Sequence, residues 1–146
     1  MRVNIQIATQ NNEVPELGHI VKWAEHALQR HASEAEMTVR VVDIDEGRRL
    51  NELWRKGTGA TNVLAFPIDA SEVAPQLLGD VVVCASLANA EAQRDGKSSN
   101  AHWAHLVIHG TLHLLGYDHV EEVGAAEMER VERTLLADLS YPDPYL

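Results

Sequence analysis

The chain has 146 residues, 45% hydrophobic and 23% charged, which suits one soluble globular domain over 1–146 with a core of its own. Its formal net charge of −10 argues against a general nucleic-acid binder, and no apolar run is long enough for a membrane span. The lone Cys84 rules out an internal disulfide and favours a reducing, cytoplasmic setting.

Taken in order, Met1–Ile7 alternates polar and apolar residues, so residues 3–8 read as a strand and not as a signal peptide. Asn11 and Asn12 make a turn. Pro15 opens a helix at its favoured first position. Leu17, Ile20, Val21, Ala24 and Leu28 carry the helical period to about Arg30. The β-branched run Met37–Val42 reads as a second strand. A helix follows from about Glu46 to Arg55, with Leu50, Leu53 and Trp54 on its inner side. Gly57-Thr58-Gly59 is a flexible loop, and 62–66 is a short strand stopped by Pro67. Residues 68–78 have no period and are expected to form a mobile loop. Gly79–Cys84 is almost continuously apolar, as in a strand buried on both faces. Ser86 is placed to cap a helix to about Arg94, and Asn100 to cap a longer one over 101–115. A last helix spans 123–139, its Glu127, Glu129, Glu132 and Arg133 assigned to solvated faces. The proline-rich tail 141–146 is not helical.

The chemistry concentrates in His109-Gly110-Thr111-Leu112-His113-Leu114-Leu115-Gly116-Tyr117-Asp118-His119, three histidines at H-x3-H-x5-H. On a helix, His109 and His113 lie on one face, one turn apart. Gly116 permits the left-handed turn that ends a helix, so the chain can bring His119 back to them. Three imidazoles make a ligand set for a zinc-like ion. Three ligands leave the fourth position to water, as at catalytic sites. Such an ion lowers the pKa of its water to about 7 and polarises a substrate oxygen, which points to hydrolysis. Zinc proteases need glutamate directly after the first histidine. Gly110 stands there and moves no proton.

His102 and His105 share that helix face but lie too far along the axis to join His113 at a metal. They are placed either as outer partners, as the lining of a groove, or as side chains facing polar neighbours. Asp80 and Asp118 are candidate carboxylates for orienting the ligand imidazoles. Arg55, beside Lys56 and a Gly-rich loop, is the best candidate for a phosphate contact. The alternative is a solvated arginine at a helix end. Residues 1–66 hold 8 basic and 9 acidic side chains, and 67–146 hold 4 and 13. A polyanion would therefore meet the Arg48, Arg49, Arg55, Lys56 region.

Read as H-G-x-L-H-L-x-G-Y-D-H, His109–His119 resembles the signature of the YbeY family, the metal-dependent endoribonucleases of bacterial rRNA maturation. Arg55-Lys56-Gly57, Thr61–Pro67 and Leu78-Gly79-Asp80-Val81-Val82 match as well, in order and over nearly the whole chain. One departure is Ala65, where the family usually carries serine. The resemblance implies a zinc ion on His109, His113 and His119, and a functional role for Arg55. It implies an α+β fold of the zincin-like kind, a mixed sheet of about four strands with packed helices. The implied partners are single-stranded RNA, chiefly the 3′ end of 16S rRNA, and the small ribosomal subunit, with no DNA and no membrane. A role in ribosome quality control is implied too. RNA affinity is then expected to come partly from ribosomal partners, given the acidic charge. The competing readings are a metalloprotease-like amide hydrolase and a non-catalytic, metal-stabilised ribosome-binding factor.

Overall fold

The computed structural model describes residues 1–29, 34–55, 57–68, 74, 76–117 and 122–146. Strands β1 (Arg2–Ala8), β2 (Glu36–Val42), β3 (Val63–Pro67) and β4 (Leu77–Cys84) form one sheet in the order β1-β2-β4-β3. β1 and β4 flank β2 in parallel, and β3 runs antiparallel along β4. Among the described residues, five helices complete the α+β domain: α1 (Leu17–Leu28), α2 (Ile44–Trp54), α3 (Ala85–Arg94), α4 (Ser99–Leu114) and α5 (Glu122–Asp138).

The sheet buries both faces unequally. Val39, Val41, Val81 and Val83 point into the main core with Trp23 of α1, Trp103 and Ile108 of α4, and Met128 and Leu135 of α5. The alternate residues Val42, Leu64 and Val82 form a smaller cluster with Leu50 and Phe66 on the α2 side. The two-sided burial expected of β4 holds from Val81 to Cys84. Helix α4 is the central helix. It packs on β3, β4, α1, α3 and α5, and ten of its residues are buried.

Several local expectations are corrected. Leu53 and Trp54 are 71% and 70% exposed, not inward. The small cluster under α2 is covered mainly by its Gly47–Asn51 turn, where Gly47 lies against Val42 and Cys84, and the last helical turn reaches its edge with Leu53 and Trp54 largely in solvent. β3 continues through Pro67, which pairs with Gly79; an edge strand can spare one N–H. Helix α3 starts at Ala85, straight out of β4, with no side-chain cap from Ser86. Ser98, not Asn100, caps α4, its hydroxyl accepting from the Ala101 N–H at 3.0 Å. Of the loop expected to be mobile, 69–73 and 75 lie outside the described residues.

Candidate metal centre and adjoining cleft

Two histidines on α4 face the β3–β4 edge because Gly110, between them, lets the helix lie flat on the sheet. A Cβ at Gly110 would sit 2.6 Å from Val81 Cγ1 and 3.3 Å from Val63 Cγ2. No glutamate fits at this position, so the general base of a zinc protease is excluded by packing as well as by sequence. Gly110→Ala is expected to destabilise the fold. Overpacking costs about 1–3 kcal/mol, and the helix gains only about 0.5–1 kcal/mol from the alanine. Thermal unfolding should show a drop of a few degrees, and an unchanged melting temperature would refute the tight seat.

The two rings are set with their Nε2 atoms toward each other, 3.2 Å apart. The planes cross at 80° with centroids 4.6 Å apart. His113 Nδ1 lies 3.0 Å from the Tyr117 carbonyl oxygen. A carbonyl only accepts, so the proton belongs on Nδ1 and the lone pair on Nε2. Tyr117 is placed for this contact by the turn after α4, where Gly116 takes a φ of +100°, as its position in the sequence predicts. His109 Nδ1 is directed at Glu132 Oε2 at 3.4 Å. Two nitrogens bound to one tetrahedral zinc are about 3.3 Å apart, given Zn–N bonds of about 2.0–2.1 Å. The facing pair fits that edge. His119, Asp118 and Lys56 lie outside the described residues.

Arg55 ends α2 and shares a cleft of about 190 Å3 with His109 and His113. Val63, Leu64, Ala65 and Pro67 of β3 form its other wall. Ala65, the one departure from the family pattern, therefore lines the cleft. Asp80 does not orient the histidines. It lies on the α2 side of the sheet with Arg40, Glu46 and Trp54, because Val81, its neighbour, takes the helix-facing position. Burial raises the Asp80 carboxyl above its ordinary value, with Arg40 opposing.

The carboxylate at the histidines is Glu132 of α5, which the sequence reading left on a solvated face. It is 1% exposed. Oε2 takes His105 Nε2 at 2.6 Å as well as His109 Nδ1, and Oε1 accepts from the Tyr145 hydroxyl at 3.0 Å. Burial opposes its ionisation, but the hydrogen bonds from His105 and His109 and their electrostatic attraction together outweigh burial and hold it at about 2. A carboxyl lowered from its ordinary value contributes stability above about pH 4.5, and that contribution is lost as the pH falls toward 2. His105, His109 and Glu132 bring one donor atom each within 4.8 Å of one another, a spacing that could hold a metal ion. His102 is paired with Glu91 at 2.8 Å, facing a polar neighbour.

The family model for Endoribonuclease YbeY matches residues 4–140. The chain belongs to the YbeY endoribonuclease family. Among YbeY relatives, the Endoribonuclease YbeY of Pseudomonas savastanoi pv. phaseolicola is 49% identical over 99% of this chain and 88% of its own length. That of Pseudomonas putida is 50% identical over 99% and 93%. The solution structure of TM1509 from Thermotoga maritima superposes with a TM-score of 0.65 at 26% identity, covering 92% of this chain and 88% of the other. The YbeY resemblance read from the histidine signature and the α+β fold it implied both hold.

Proposed function

We propose that the protein is a single-strand-specific, zinc-dependent endoribonuclease acting in 16S rRNA 3′-end maturation and ribosome quality control. His109, His113 and His119 bind the metal and Arg55 contacts phosphate. The observation that carries this reading is the facing Nε2 pair of His109 and His113 in one cleft with Arg55. Relatives named Endoribonuclease YbeY support the substrate class.

When bound, the zinc ion supplies an activated water and a Lewis acid for the phosphodiester. The chain's own residues do the rest. The Tyr117 carbonyl fixes the His113 ring. Arg55, always charged, offers a planar fork of donors to phosphate oxygens and balances the charge that grows in the transition state. The β3 wall, apolar along Val63, Leu64 and Ala65, keeps bulk water from one side. The cleft seats the scissile phosphodiester beside Arg55, His109 and His113. With a chain net charge of −10, contacts to the small ribosomal subunit supply part of the RNA affinity. The enzyme works in the cytoplasm.

The test is metal removal. The chain stripped with a chelator should not cut single-stranded RNA, and one equivalent of zinc should restore cutting. Duplex RNA should stay intact throughout. Cleavage by the fully stripped chain would overturn the proposal.

A further inference from the structure

Glu132 is the most deeply buried carboxylate among the described residues, at 1% exposure, and it lies one atom behind the candidate ligand His109. We propose that Glu132 is a positioning residue for the metal centre: it holds His109 by Nδ1 so that Nε2 faces His113. This rests on the reading of His109 and His113 as metal ligands.

The geometry gives the carboxylate one use. An ionised carboxylate only accepts, so each nitrogen pointed at it donates. His109 Nδ1 at 3.4 Å therefore carries the ring proton, and Nε2 carries the lone pair at the cleft. The carboxylate is itself immobilised. His105 Nε2 lies 2.6 Å from Oε2, and the Tyr145 hydroxyl donates to Oε1 at 3.0 Å. Tyr145 is in turn held edge-on against the His105 ring, with centroids 5.4 Å apart, and under the Arg133 guanidinium at 5.3 Å. Arg133 also pairs with Asp143 at 3.0 Å, and Lys97 Nζ donates to the Pro144 carbonyl at 3.3 Å. Segment 143–145 thus braces Glu132 against α4. Both oxygens are engaged within protein, and this argues that His105, His109 and Glu132 act as a hydrogen-bonded brace. As direct ligands they would have to take the metal through His109 Nδ1, on the side away from His113.

The same assignment separates two roles on α4. His109 and His113 present Nε2 to the cleft, while His105, one turn earlier, spends its Nε2 on the carboxylate. Outer partners of this kind set ring orientation and ligand basicity, and their loss costs about 10–100-fold in metal affinity.

The experiment loads metal-stripped wild type, His113→Ala and Glu132→Gln with cobalt(II). Affinity is read by chelator competition and geometry from the visible spectrum. Long-range proton–nitrogen NMR reads the His109 ring in the zinc-loaded wild type. Wild type should bind one ion and His113→Ala should lose it. Glu132→Gln should bind about 10–100-fold more weakly with an altered spectrum. His109 should show metal on Nε2 and a proton on Nδ1. Metal on His109 Nδ1 overturns the proposal, and so does wild-type affinity and spectrum in Glu132→Gln. The NMR reading needs no variant, so it decides the matter even if Glu132→Gln fails to fold. A wild type that binds no cobalt, or a His113→Ala that binds it normally, overturns the metal-site reading itself and the proposal with it.

Discussion

His113→Ala should leave a folded protein that holds no zinc and cleaves RNA about a thousandfold more slowly, or worse. His113 is partly exposed at the cleft. Its ring contacts include the Tyr117 carbonyl and the His109 ring, and its partial exposure means that alanine removes less packing than at fully buried Leu112. On the proposed three-histidine site, the remaining pair would have no closed set to offer. A bound ion would supply both an activated water and polarisation of the phosphodiester; the second alone is worth several kcal/mol, where 1.36 kcal/mol is tenfold in rate. Metal content by mass spectrometry, thermal unfolding and cleavage rate, measured on one preparation, check the outcome. Full zinc content with full activity in His113→Ala would remove this residue from the site.

Arg55→Ala should do the opposite to the metal and nearly the same to the rate. The side chain shares the cleft but is exposed at the end of α2, so zinc content and melting temperature should stay at wild-type values. A charged donor aimed at developing negative charge is worth about 10²–10³ in kcat. The fall should appear in kcat more than in KM, because the interaction strengthens as charge builds. Arg55→Lys should recover only part of it, since an ammonium cannot make the two parallel bonds of a guanidinium. An Arg55→Ala variant with normal kcat would make the arginine a solvated helix end, and a loss of zinc would make its role structural.

The sheet was legible because strands over 3–8, 37–42, 62–66 and 79–84 are written in β-branched and alternating residues, and all four form with edges moved by a residue or two. The helix carrying His109 and His113 was legible from their spacing, and the turn after it from Gly116. Glu132 was not. In sequence it is one acidic residue among Glu127, Glu129 and Arg133, although Met128 and Leu135, four before and three after it, mark the same face as buried. What decides its burial is donors from elsewhere: His105 and His109 of α4, and Tyr145 beyond α5. No local pattern encodes partnerships across 13 to 27 residues. The inner face of α2 failed for a related reason. The apolar spacing of Leu50, Leu53 and Trp54 describes a stripe, but the extent of the sheet beneath limits how much of it is covered.

The strand order also governs how fast the cleft can come into being. Arg2 pairs with Glu36 and Met37 with Gly79, so both parallel ladders close over long stretches of chain. The β3–β4 hairpin closes a shorter one, Pro67 against Gly79. Ladders between distant residues cost loop entropy before they gain contacts, and such topologies fold more slowly than helical bundles. The cleft draws Arg55 from before the hairpin and His109 and His113 from after it, and Glu132, from later still, meets His109 from behind. If the proposed site does the cutting, a half-folded chain beside an RNA is therefore expected to stay inactive until the last ladder and the last helix are in place.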